Sequence, residues 1–331
     1  MPAEPGLSEI VTTTIENRTG KIQDNVTNHN ALSVVLKDHD MIEKNVSGRS
    51  LLEEMSFDDN GTFTRYSGAQ TLNISYNPVA TAAEFVPKQF AVAVVLNGRE
   101  KRMNDGMEGK IKLAKMRMTV AEDTLQNFFN ADCYSDGTAD SGLQIGGLRL
   151  LISKTPTSGT IGGIDRSVAA NAFYRNFKFD TVNDWAGGVV SAATVKTLFG
   201  RVIDNTQQNA NGPKVILSGR THYGAVRDAA QAVQMITDPK LAKLGFENLF
   251  FCGRTVILGS SINFGGQTLI ADDLSYFIDP KSIALKTYRG AYFERLDQIQ
   301  SINQDAEAQL IIFMGNLTLN RARTNGVLFD S

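Results

Sequence analysis

Apolar positions are sparse at the start of the chain, and their spacing changes several times along it. Residues 1–49 are polar, with helix-like patches only around 7–17 and 31–39. They hold too little apolar surface for a core and predict an arm that packs on something else. From 50 to 100 the pattern becomes alternating or β-rich, in runs at 51–57, 71–76 and 85–96. The turn Asp58-Asp59-Asn60-Gly61 closes the first of them. Thr, Ser, Asn and Gly fill the gaps, so the segment predicts a long two-stranded excursion. Such a hairpin is not stable alone in water, and it calls for a partner surface on a neighbouring subunit.

The period then lengthens. Asn104-Asp105-Gly106 offers an N-cap, and Met107, Ile111, Ala114, Met118, Ala121, Leu125 and Phe128 follow at alternating steps of four and three. This predicts one amphipathic helix over 107–132, about 39 Å long at ~1.5 Å per residue. Tyr134-Ser135-Asp136-Gly137-Thr138 stops it with turn chemistry. Gly142, Gly146 and Gly147 precede a predicted strand at 148–152, and 154–163 reads as a turn-rich connection. After Trp185-Ala186-Gly187-Gly188 the texture is a mixed α/β alternation that predicts a compact second domain. Its helices fall at 192–205 and 223–236, and its strands at 214–218, 255–258 and 268–271. β-forming runs at 308–314 and 317–321 are long enough to join a sheet begun earlier.

Composition narrows the class. The 331 residues are 42% hydrophobic and 21% charged, enough for a sizeable core in one large or two modest domains. The formal net charge of -2 supplies no global field toward nucleic acid or an anionic membrane, so any such role falls to local patches. Cys133 and Cys252 stand far apart without metal or redox spacing and read as two buried thiols in a reducing compartment. The first residues carry Glu4 and Pro5 where a secretion signal has a basic and then an apolar stretch. No run approaches the ~20 apolar residues of a membrane span. Synthesis in the cytosol is expected.

Catalytic chemistry is not advertised. The phosphate-binding loop, the His-Glu-x2-His pair, the nucleophile elbow and the dinucleotide fingerprint are all missing. His29 and His39 fall in the polar arm. His222 follows Arg220-Thr221 at a strand-to-helix turn, where a cap is the expected role. Asp58-Asp59 and Asp272-Asp273 lie in turns that favour Asp for local bonding. No catalytic residue, metal or cofactor is expected. The one local charge cluster runs from Lys88 to Arg117, where eight basic residues face Glu100, Asp105 and Glu108. Lys110, Lys112, Lys115 and Arg117 lie on the polar side of the predicted helix. A nearby duplex would be attracted without sequence readout, although a solvated helix face explains the same residues.

Several segments together resemble tailed-bacteriophage major capsid proteins. They are Ala82-Ala83-Glu84-Phe85-Val86-Pro87-Lys88-Gln89-Phe90, Asn97-Gly98-Arg99-Glu100, the Asn104-Asp105-Gly106 helix start, Tyr134-Ser135-Asp136-Gly137-Thr138-Ala139, Gln144-Ile145-Gly146-Gly147-Leu148, and the run from Thr155-Pro156 through Gly162-Gly163-Ile164-Asp165-Arg166. They occur in the family's order and spacing. The resemblance is dense over 50–176 and mainly topological elsewhere.

It implies an α+β, HK97-like capsid fold with four parts. These are an N-terminal arm (1–49), an E-loop hairpin (50–100), a peripheral domain with a long spine helix (101–185, completed by 305–331) and an axial α/β domain (186–304). It also implies a structural, non-enzymatic protein that self-assembles into hexamers and pentamers of an icosahedral phage head around double-stranded DNA. The chain would be made in the bacterial cytoplasm and end in the virion. Portal, scaffold and decoration proteins would be further partners, and no membrane is involved. Phe63, Tyr66, Leu72, Ile74 and Tyr76 would then be buried on an adjacent subunit, and Lys110, Lys112, Lys115 and Arg117 would face DNA. No long scaffolding-like N-terminal segment and no Lys–Asn cross-linking pair is identifiable, so covalent chainmail is not expected. The nearer alternative is an encapsulin-type compartment shell, and the more distant one a cytosolic α/β enzyme built on 186–304.

Overall fold

Two sheets, joined back to back through one core, carry most of the chain. The computed structural model describes residues 31–97, 107–230, 248–259, 269–296, 299–300 and 306–331. In chain order come helix α1 (Ala31–Asp38), strands β1 (Ile42–Val46), β2 (Leu51–Ser56), β3 (Ala80–Phe85) and β4 (Lys88–Asn97), then the long helix α2 (Met107–Tyr134). Next are the short helix α3 (Leu148–Leu151), strands β5 (Thr160–Ile161) and β6 (Ile164–Asp165), a 3-10 turn at Ala169–Tyr174, β7 (Phe177–Asp180) and helix α4 (Val195–Thr206). The rest is β8 (Val215–Ser218), α5 (Arg220–Ala230), β9 (Asn248–Phe251), β10 (Arg254–Leu258), β11 (Leu274–Ile278), β12 (Ile283–Arg295), β13 (Ile299–Gln300), β14 (Ala306–Leu319) and β15 (Gly326–Phe329).

The first sheet runs β1-β12-β14, with β13 and β4 also on β14. β4 pairs antiparallel with β14 from Ala306 opposite Asn97 to Gly315 opposite Lys88, and the long helix lies across them. Phe129 of that helix packs edge-on against Phe293 at 5.3 Å and tilted against Phe313 at 5.4 Å, while Phe90 stacks on Phe313 at 4.8 Å. Irregularities between Thr287 and Tyr292, and again before Glu294, bend β12 around this cluster.

The second sheet has the order β7-β15-β11-β8-β10-β9. Every residue of β8, β11 and β15 is buried, as expected for strands covered on both faces. The period of two sends alternate side chains to different cores. Ile216, Val256, Phe277 and Leu328 pack with α4 and α5. Val215, Leu217, Ile257, Tyr276 and Val327 join the core that holds the long helix and the first sheet. The expected second domain therefore shares its inner face with the rest of the molecule.

Several sequence expectations change on contact with the structure. The part of the arm that is described is not peripheral. Ala31, Leu32, Val34, Val35 and Leu36 are buried in the main core, and β1 pairs parallel with β12; residues 1–30 lie outside the described residues. The run 71–76 forms no strand, because it has no ladder partner. The run 85–96 splits at Val86-Pro87, where Pro cannot donate to a ladder. Residues 148–152 form helix α3, closed by Leu151 N–H and Ile152 N–H on the Gly147 and Leu148 carbonyls. Residues 269–271 bend without pairing, and the two runs at 308–321 are the single strand β14. On the long helix Phe128 is 62% exposed and Phe129 is 2% exposed, so the core face advances by four from Leu125, not three. Cys252 is exposed in the β9–β10 turn, whereas Cys133 is buried. Sheet membership also crosses the expected boundaries: β7 and β15 belong to the second sheet and β12 to the first.

Candidate functional site

Exposed apolar side chains gather on the hairpin between β1 and β4. Its stem pairs β2 with β3 from Leu51 opposite Phe85 to Ser56 opposite Ala80. Leu51, Ala83 and Phe85 are buried at the body end. Beyond Ser56 the ladder stops, and residues 57–79 turn by local side-chain bonds. The Asn60 side-chain oxygen accepts from the Thr62 N–H at 3.1 Å and its hydroxyl at 2.8 Å. Asn73 does the same for Ser75 at 3.0 and 2.7 Å. Such turns satisfy polar groups without a sheet, which is why a Thr/Asn/Ser-rich segment reaches outward as loop rather than strand. Phe63, Tyr66, Leu72, Ile74 and Tyr76 are all exposed, Ile74 at 94% and Tyr76 at 90%. Single exposed apolar side chains need no explanation, but here five stand on one loop.

The stem is anchored by charge. Lys286 on β12 places its Nζ 2.8 Å from Glu53 Oε1 and 3.3 Å from Glu43 Oε2, and Thr318 on β14 donates to Glu53 at 2.5 Å. One lysine thus joins β1, the hairpin and the first sheet. Burial by itself pushes its pKa down, but the hydrogen bonds and charges of Glu53 and Glu43 outweigh it and the net direction is up. A second contact fixes the opposite strand: Glu84 N–H donates to the Gly162 carbonyl at 2.9 Å. Gly162 sits at φ +55, and a Cβ there would meet the Ala83 Cβ at 2.7 Å, so both conformation and space demand glycine. Asn316 closes the hairpin exit, donating to Val86 O at 2.8 Å and accepting from Gly146 N at 3.1 Å. Phe57 stacks on Phe173 at 5.1 Å where the free loop begins.

Part of the basic cluster lies on the long helix. Lys110, Lys112 and Lys115 stand on the helix backbone, but their side chains lie outside the described residues. Arg117 is half-buried and donates to the Val95 carbonyl of β4, so part of its hydrogen-bonding capacity is used within the chain.

His222 is not a cap at the surface. It is fully buried in α5, its Nδ1 2.8 Å from Ser275 Oγ and its Nε2 3.4 Å from Asp330 Oδ2, and Ser275 Oγ lies 2.9 Å from Ser218 Oγ. Asp330 also accepts from the Thr181 hydroxyl at 2.6 Å. Burial raises the Asp330 pKa, but bonds from His222 and Thr181 outweigh it and hold its carboxyl below the usual range. The three residue types resemble a hydrolytic triad. However, Ser275 and His222 are wholly shielded from solvent, so no substrate reaches them. The network instead ties the last residues of the chain to β7, β11 and α5. Among the described residues no group of three His, Cys, Asp or Glu could hold a metal ion. No described helix is long and apolar enough to cross a membrane.

No protein-family model matches the sequence, and no curated protein sequence matches it. Solved structures do. A chain from the capsid asymmetric unit of cyanophage A-1(L) superposes with a TM-score of 0.60 at 14% identity, over 89% of this chain and 92% of that one. A chain from the capsid of a native GTA particle gives 0.56 at 11% identity over 90% of each chain, and one from Mycobacterium phage Adephagia gives 0.53 at 11% over 90% of each.

The chain has the HK97-like fold of phage major capsid proteins. The stem and loop of the hairpin span 51–85, and β4 belongs to the first sheet. The helix expected over 107–132 is present over Met107–Tyr134. The Lys286 anchor and the His222–Asp330 network escaped the sequence reading. Their members lie scores to hundreds of residues apart, and no local pattern joins them.

Proposed function

We propose that this protein is the shell subunit of a phage-type capsid, assembling through hexamers and pentamers into a closed icosahedral head around double-stranded DNA. The observation that carries the reading is the hairpin loop, which holds five large apolar side chains in solvent on an anchored stem. Burying them on an adjacent copy contributes ~25 cal/mol per Å² of apolar surface covered. The contact stabilises the assembly, not the isolated chain. Loop residues set by local turns, on a fixed stem, suit one sequence to the differing surroundings of a closed shell. DNA is held without sequence readout, by Lys112 and Lys115 on the long helix among others. Portal, scaffold and decoration proteins are further partners on this reading.

Removal of residues 61–77 tests it. The expected product is a folded, soluble chain that forms no shells by negative-stain electron microscopy. Intact particles from the deletion would sink the assembly role. Charge reversal at Lys112→Glu and Lys115→Glu is expected to give particles that retain less nuclease-protected DNA, and unchanged retention would remove these residues from the DNA-facing surface.

A further inference from the structure

The first sheet is apolar on both faces. One face carries the core, with Val94, Ile311 and Phe313 buried beneath the long helix. On the other, the register sets Ala91 across from Ile312, Ala93 from Leu310 and Val95 from Ala308, and directly opposed residues of a ladder share a face. Ala91, Ala93 and Val95 are exposed, and Leu310, Ile312 and Met314 are partly so. Leu296, whose N–H bonds the Leu310 carbonyl, adds a further exposed side chain at the margin. An antiparallel sheet with one face in water alternates apolar and polar residues, and this half of the sheet does not.

The hairpin of the same chain covers one end of this face and leaves the other open. Asn316 and Thr318 continue the row of Ala308, Leu310, Ile312 and Met314. Both are buried, Asn316 on the Val86 carbonyl and Thr318 on Glu53. From Glu53 the stem runs away from the open half. Phe57 stacks on Phe173 and lines one cavity with Arg321 and Arg323, beyond the end of β14. Thr318 lies about 26 Å from Leu310 along the strand. The loop therefore leaves over the far end, and among the described residues no element covers Ala91, Ala93 or Val95. The two surfaces match in shape and charge. The loop offers five large apolar side chains, and the face offers a low strip of two alanines beside Leu310 and Ile312. Arg65 is the one cation between 57 and 79, and Glu294 stands exposed on β12 directly across from Ile312.

We infer that the uncovered half of this face, formed by Ala91, Ala93, Val95, Leu310, Ile312 and Met314, seats the hairpin loop of a second copy. The inference rests on the assembly reading above and adds the receiving surface to it. Each copy covers one end of its sheet with its own stem and the other end with a neighbour's loop.

Disulfide trapping between two kinds of full chain tests the inference. In a Cys252→Ser background, chains with Ile74→Cys are assembled with size-tagged chains carrying Ala93→Cys. The control replaces Ala93→Cys by Val120→Cys, at an exposed site on the long helix and so on the opposite side of the sheet. Mild oxidation of the particles should give a mixed dimer on non-reducing gels, about tenfold more abundant with Ala93→Cys, because docking raises the effective concentration of the two thiols. Particles with equal yields for both pairs would overturn the inference and leave the shell reading standing. A mixture that stays monomeric at every concentration would overturn both. A second measurement needs no disulfide. Ala93→Arg should keep the thermal melt of the parent chain and give several-fold fewer particles by negative-stain electron microscopy than Ala93→Ser, and equal particle yields would also overturn the inference.

Discussion

At the residue scale, the titrating groups of most consequence sit where elements join. Asp132, in the last turn of the long helix, is pushed up to about 6 by burial; hydrogen bonds from Gln144, at 2.8 Å, and Ile145 oppose the shift, and the charge of Asp140 adds to it. A carboxyl whose folded value is raised holds a proton that the unfolded chain releases. Its ionisation therefore lowers stability as pH rises from about 4 to about 6, and the cost persists above that window. Asp132→Asn keeps the oxygen that Gln144 uses and removes the charge. Thermal melts should show a gain on the order of 1–2 kcal/mol near neutral pH, after allowance for partial solvation, and none at about pH 4. An equal gain at both would mean that the charge is not the cause. Lys286 has the opposite linkage. Its folded value lies above its ordinary 10.5, so its contribution is whole below that value and is lost as pH rises through the raised one. Lys286→Met strands two carboxylates and should cost roughly 1–2 kcal/mol at neutral pH. The difference from the parent protein should shrink in strong alkali, and a constant difference would place the effect in packing rather than charge.

At the element scale, the long helix shows what periodicity can and cannot fix. Its existence, start and length were legible, with Met118, Ala121 and Leu125 all in the core. Phe128 and Phe129 are adjacent aromatics, and a steps-of-four-and-three pattern admits either one. The choice is made by Phe90, Phe293 and Phe313, which lie far away in sequence. Phe129→Ala should therefore cost about 3–5 kcal/mol, and Phe128→Ala less than about 0.5 kcal/mol, in denaturant melts. Comparable losses would refute the helix rotation seen here. The hairpin gives the same lesson. Its reach and its exposed apolar residues were readable, but the strand expected at 71–76 rested on propensity alone, and without a partner backbone propensity does not make a strand. The anchor of the stem was invisible for a similar reason: Glu43, Glu53 and Lys286 are ordinary charges until the fold brings them within bonding distance.

At the scale of the whole molecule, the fold class could be read, because segments over 50–176 resemble phage capsid proteins. The partition into independent regions could not. The sequence after Trp185 reads as a self-contained α/β unit, yet its sheet takes β7 from before that point and β15 from the far end. β15 lies between β7 and β11, pairing parallel with one from Gly326 opposite Phe177 and antiparallel with the other from Gly326 opposite Phe277. Removing residues 326–331 would take away an interior strand and the Asp330 contacts to Thr181 and His222. The expected result is loss of cooperative unfolding and recovery in the insoluble fraction, read by calorimetry and sedimentation. A soluble, cooperatively melting truncation would show the sheet to be complete without it.

The interior position of β15 also sets a clock on biosynthesis. A nascent chain that has emerged as far as β11 already carries most of the apolar residues of the second sheet, but β7 and β11 face an empty slot until residue 329 leaves the ribosome. Closure is thereby deferred until β15 has been made, and a chain stopped short of it keeps the facing edges of β7 and β11 unpaired.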